Sequence, residues 1–193
     1  MGEATGTVHF VNALAEMKSH YLGGAQQMFT LEASPHVQQL RALAVGSDAP
    51  GDDVQAQLTQ IKTDGRTDLQ AAVGQQQQAA TAASTQVQQD KNQESFKQKM
   101  EKQKAKAKAD SDATIDKAYA AAEKLGTANP NQQDAILNGM NSITTAFTGV
   151  INGLVTAVST VIDAVVKFIT GILGPLEGVA QAFAPVLGLL AVL

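Results

Sequence analysis

The sequence predicts an all-α fold, and three observations carry that prediction. Ala and Gln are abundant and favour long helices. Apolar residues recur with a helical period over many turns, above all from Ile143 to Leu173. Aromatics make up only 4 % of the 193 residues and Trp is missing, so slender helix-on-helix packing is expected in place of a thick aromatic core. The expected architecture is an elongated helical bundle or hairpin of polar Ala/Gln/Lys-rich helices with a C-terminal apolar helical hairpin. Its segments are residues 1–46, an N-terminal helical pair; 53–126, a long polar arm; and 132–193, the apolar hairpin, for membrane or assembly.

In chain order, residues 1–7 are small and polar and are expected to fray. From Val8 to Met28, Phe10, Val11, Leu14, Met17, Tyr21 and Leu22 fit a modestly amphipathic helix that Gly23-Gly24 weakens or ends. Ser34 as N-cap and Pro35 at the first helical position start a second helix, which runs to Gly46. Gly46 to Asp53, with Pro50 and Gly51, reads as a loop. Val54, Leu58, Ile61 and Leu69 open the arm, with a break expected at Asp64-Gly65. The Gln/Ala tract from Gln70 to Gln89 leaves a thin stripe of Ala72, Ala79, Ala83 and Val87. In the charged tract from Asp90 to Lys117, Phe96, Met100 and Ile115 are the large apolar residues. A new helix is expected from Asp110-Ser111-Asp112, stopped by Gly126 and followed by an Asn129-Pro130-Asn131 turn.

The segment from Ile143 to Leu173 divides into three faces. Phe147, Ile151, Leu154, Val158, Val161, Val165, Phe168 and Ile172 alternate spacings of four and three and form one bulky seam, the candidate membrane-inserting set. Thr148, Asn152, Thr156, Ser159, Asp163 and Lys167 form a polar face, a candidate lumen lining. Gly149, Gly153, Ala157 and Ala164 form a small face suited to close helix–helix contact. Asp163 and Lys167 are the only charges between Asp134 and Glu177, and their spacing lets them pair. As a helix the segment is about 45 Å long, enough for a ~30 Å hydrocarbon core. Gly174-Pro175 is expected to end it, and Pro185 to split the remainder into two short pieces.

The composition excludes several function classes. There is no Cys, which removes disulfides, thiolate nucleophiles and Cys-based metal sites. No GxSxG, HExxH, P-loop or GxGxxG context occurs, so no enzyme, cofactor or small-molecule substrate is expected. His9, His20 and His36 lack ligand-like spacing, and no metal site is expected unless the fold unites them. Lys97, Lys99, Lys102, Lys104, Lys106 and Lys108 form a basic cluster that reads either as a solvated helix face or as a surface for anionic headgroups. Nucleic acid is not expected, because stacking aromatics are missing and the net charge is −4. The Gln75–Gln78 run reads as solvent-facing filler or a polar interaction surface.

These features predict a membrane-active helical protein, an oligomeric pore-former or translocator that inserts its C-terminal apolar helices. The expected partners are a lipid membrane and a homo-oligomer or helical partner protein. With no basic-then-apolar leader at the N-terminus, the expected route is leaderless or specialised secretion, with cytoplasmic assembly as the alternative. The hairpin and the long polar helices together resemble α-helical pore-forming toxins, in which a helical bundle carries a hydrophobic insertion hairpin; here the hairpin is C-terminal and not set between bundle helices. Two other readings stand beside it: a structural subunit of a filament or tube, and an amphipathic coat on a lipid or polymer surface, as in phasin-like proteins.

Overall fold

The computed structural model describes residues 2–25, 27–43, 49–90, 92–169 and 178–193, with side chains from residue 5 onward. Ile172 of the apolar seam, the expected Gly174-Pro175 break and the expected end of the second helix at Gly46 lie outside the described residues. Six α-helices and two 3-10 turns, and no strand, are found among the described residues: α1 (Gly2–Leu22), α2 (Pro35–Leu43), α3 (Asp52–Asp90), α4 (Gln93–Ala128), α5 (Gln133–Ile169) and α6 (Val179–Val192), with 3-10 turns at Leu31–Ala33 and Pro130–Gln132. The fold is all-α, and its C-terminal helices are apolar.

The helices run longer than the sequence suggests. The first begins at Gly2, where fraying was expected. It ends as predicted at the glycine pair, with Gly24 at φ +81, the left-handed conformation that closes many helices. Ser34 caps α2, its hydroxyl oxygen accepting the Val37 N–H at 3.3 Å. Neither Asp64-Gly65 nor Asp110-Ser111-Asp112 interrupts a helix, and Gly126 lies inside α4.

Two of these glycines have a packing role. A Cβ on Gly65 would stand 2.1 Å from Phe147 Cζ, and one on Gly126 would stand 2.1 Å from Phe10 Cζ. Each is a notch that receives a phenyl ring, and that packing offsets its helix-propensity penalty of about 1 kcal/mol. The acidic pair at 110 and 112 serves as i,i+4 partners for Lys106 and Lys108. Pro185 stays within α6 because that turn faces solvent, where the carbonyl left unbonded by the missing N–H can be hydrated.

By contacts the chain groups into two compact units. The first comprises Met1–Arg66 and Ala113–Thr148. Its core includes Phe10, Met17, Ile61, Ile136, Leu137, Met140 and Phe147. A polar latch ties the segment after α1 to α5. The Tyr21 hydroxyl donates to Asn141 Oδ1 and lies 2.8 Å from Thr145 Oγ1, while it accepts the Phe29 N–H at 3.1 Å. Asn141 Nδ2 in turn donates to the Phe29 carbonyl at 2.8 Å. Arg41 Nε donates to Asp134 at 2.7 Å, and that carboxylate is the chief reason the guanidinium pKa is raised.

The second unit comprises Thr67–Asp112 and Gly149–Leu193. Leu69, Val73, Val87, Phe96 and Met100 are its large buried contributions from α3 and α4, with Ala72, Ala80 and Ala107 between them. Within the Gln75–Gln78 run, Gln75 and Gln78 are exposed, but Gln76 is only 1 % exposed. Neither polar atom of its amide has a hydrogen-bond partner among the described residues, and the same holds for the buried Ser84 hydroxyl.

Candidate functional site

The apolar C-terminal helices are the candidate site. The helical stretch Pro130–Ile169 contains an 18-residue window of mean hydropathy 1.8, of which 44 % is buried. It is long and apolar enough to cross a membrane by length and composition. Seven of the eight seam positions are described, and six of these are buried: Phe147 in the first unit, and Ile151, Leu154, Val158, Val161 and Val165 in the second. Phe168 is half-buried. The scarcity of large apolar residues in the polar helices suggests a poor cover. Instead the folded chain encloses most of the seam, with Ala72, Ala80 and Ala107 buried in the second unit beside its few large apolar residues.

The polar face is graded by exposure. Thr156, Asp163 and Lys167 are exposed, and Asn152 and Ser159 are half-buried. Thr148 is buried, and its hydroxyl has no partner among the described residues. Further along, the hydroxyls turn back on their own helix. Thr156 Oγ1 donates to the Asn152 carbonyl at 2.9 Å, Ser159 Oγ to Val155 at 3.0 Å and Thr160 Oγ1 to Thr156 at 3.0 Å. Hydroxyls satisfied in this way need neither water nor a neighbouring chain.

The small face receives α6. A Cβ added to Gly153 would meet Leu189 Cδ1 and Val186 Cγ2, each at 3.4 Å. Ala157 is buried and Ala164 is half-buried. Gly149, by contrast, faces open space: a methyl group added there would have no neighbour within 4 Å.

The outer face of α6 was not singled out in the sequence. Helix α6 has no charged residue. Phe183, Val186 and Leu190 point inward, while Leu187, Leu189 and Val192 remain 45 %, 40 % and 81 % exposed. Ala180, Gln181, Ala184, Pro185, Gly188 and Ala191 complete the exposed face. The signal available in the sequence was the absence of any charge after Glu177.

The histidines are partly united by the fold. His9 Nδ1 and His36 Nδ1 lie 3.4 Å apart, and His36 Nε2 is 3.7 Å from Glu16 Oε1. Ring centroids 5.7 Å apart place the two Nδ1 atoms head-on, as in a shared N–H···N bond, rather than converging on a common ion. His20 is engaged elsewhere, with its Nε2 at 2.8 Å from the Gln27 carbonyl. No group of three or more His, Cys, Asp or Glu that could hold a metal ion occurs among the described residues. Comparison with protein families, with characterised proteins and with solved structures finds no match to this chain.

Proposed function

We propose that the protein is membrane-active and delivers its C-terminal apolar helices to a lipid bilayer, acting as an oligomeric pore-former or translocator. The observation that carries this reading is the outer face of α6, which is uncharged and leaves three large apolar side chains in water in the folded chain. Full burial of a Leu or Val side chain is worth about 1.5–3 kcal/mol. Scaled by the observed exposures, Leu187, Leu189 and Val192 together favour transfer to lipid by about 3 kcal/mol. That supports shallow, reversible contact, a first step and not a stable insertion.

The second step follows from what α6 covers. Val186 and Leu189 sit over Gly153, so drawing α6 into lipid uncovers the small face of α5. Two features of α5 then favour entry: its apolar window and its self-bonded hydroxyls. The unpartnered Gln76 and Ser84 favour opening of the second unit, because opening lets water reach them. Liposome dye release, with protection of residues 143–193 from protease, tests the reading. Release with protection is the expected result. Assembly in the absence of lipid with no release would favour the filament subunit, and lipid binding without release would favour the coat.

A further inference from the structure

The contact offered by α6 is marginal alone, and stable attachment of a peripheral protein generally needs a second signal, such as a polybasic patch. The second unit carries one. Residues 97–108 hold six lysines against the single acid Glu101, a local charge of +5. Outside residues 97–108 and their acidic flanks (Asp90, Glu94, Asp110 and Asp112), the unit's remaining charges are scattered: Asp68, Lys91, Asp163, Lys167 and Glu177, with none on α6. Phe96, Met100, Ala107 and Ser111 anchor the buried side of this part of α4. At 100° per residue, Lys97, Lys104 and Lys108 fall along one flank of that buried side and Lys99, Lys102 and Lys106 along the other. Lys106 and Lys108 are paired with Asp110 and Asp112, and Lys99 Nζ bonds Gln86. Lys97, Lys102 and Lys104 have no ion-pair partner among the described residues, so their charge is available.

We infer that this lysine segment is a docking surface for anionic lipid headgroups, which holds the second unit at the bilayer while α6 enters the interface. The inference rests on the proposed membrane activity and names the lipid class that it requires. Charge complementarity selects an anionic partner. Lipid is favoured over nucleic acid because Phe96, the one aromatic within 90–118, is buried and has no face to offer a base, and because the same compact unit exposes Leu187, Leu189 and Val192. Lys97 and Lys102 are exposed and Lys104 is half-buried on α4, and Gln has nearly the same helix propensity as Lys, so replacing them with Gln is expected to leave the helix and its packing intact.

The test is flotation of the full chain with vesicles of phosphatidylcholine alone and of phosphatidylcholine mixed with phosphatidylglycerol, at low and high salt. The comparison protein carries Lys97→Gln, Lys102→Gln and Lys104→Gln, with helicity checked by circular dichroism. The wild type is expected to prefer the anionic vesicles, and high salt to remove the preference. The triple variant is expected to bind them on the order of 100-fold more weakly, at roughly fivefold per lysine. Residual binding to phosphatidylcholine is expected to be equal for the two proteins. Equal wild-type affinity for both vesicles, or unchanged anionic binding by the triple variant, overturns the inference, and dye release from both vesicles would then leave the membrane reading standing. Absence of binding and of dye release with either vesicle overturns both. Tighter binding to a single-stranded oligonucleotide than to anionic vesicles overturns the choice of lipid.

Discussion

Replacing Gln76 with Leu probes the release step. Gln76 is 1 % exposed, and its amide nitrogen and oxygen both lack partners among the described residues. A buried amide left unsatisfied costs about 1–3 kcal/mol. Leu is similar in size and equal in helix propensity, so the substitution removes this cost without a propensity change. Gln76→Leu should therefore stabilise the second unit by about 2 kcal/mol. With a urea dependence of about 2 kcal/mol per molar, the unfolding midpoint should rise by roughly 1 M. If the second unit must open before α5 meets lipid, the open population, and with it the initial rate of dye release, should fall roughly 30-fold. Gln75→Leu is the control: that side chain is exposed, so stability should change little. An unchanged or lowered midpoint in Gln76→Leu would mean that the amide is satisfied in solution. A raised midpoint with undiminished dye release would separate opening from activity and refute the release mechanism.

Other consequences follow from single contacts. Gly153→Ala should be tolerated, because its Cβ meets Leu189 and Val186 at ordinary contact distance, whereas Gly153→Leu should displace α6 and raise proteolysis of residues 178–193. Gly65→Ala should destabilise by about 1–2 kcal/mol as the methyl group meets the Phe147 ring, while Gly74→Ala, with open space around it, should stabilise by about 1 kcal/mol; thermal unfolding compares them. Burial raises the Tyr119 hydroxyl pKa above its ordinary value, an effect that the neighbouring Thr144 hydroxyl opposes. Above about pH 10 the unfolded chain thus loses a proton that the folded chain keeps, and stability falls as pH rises. Tyr119→Phe should remove that part of the alkaline loss, read from urea midpoints measured on either side of pH 10.

The helical class and the apolar character of α5 were legible because one periodic signal, spaced by four and three from Phe147 to Phe168, persists through many turns. The glycines were less legible. Gly65 and Gly126 look like breakers in a local window, but each answers a phenyl ring more than 80 positions away in the chain, Phe147 and Phe10 respectively. The His9–His36 contact was hidden for a similar reason, since its 27-residue separation is set by the turn between α1 and α2 and not by a helical repeat. Gln76 was indistinguishable from its exposed neighbours Gln75 and Gln78, because one residue's rotation around a helix decides burial. The cover over the seam was not legible in a count of large apolar residues, because small residues such as Ala80 and Ala107 are buried with them.

The membrane reading turns on whether α5 leaves the folded chain for lipid. The chain has no Cys, so a single Val155→Cys variant carries an environment-sensitive fluorophore at one half-buried position of α5. On adding anionic vesicles, the account predicts a blue-shifted emission that becomes sensitive to quenchers placed in the lipid acyl chains. An emission spectrum unchanged by vesicles, with the probe beyond reach of those quenchers while the protein remains a monomer, would contradict it.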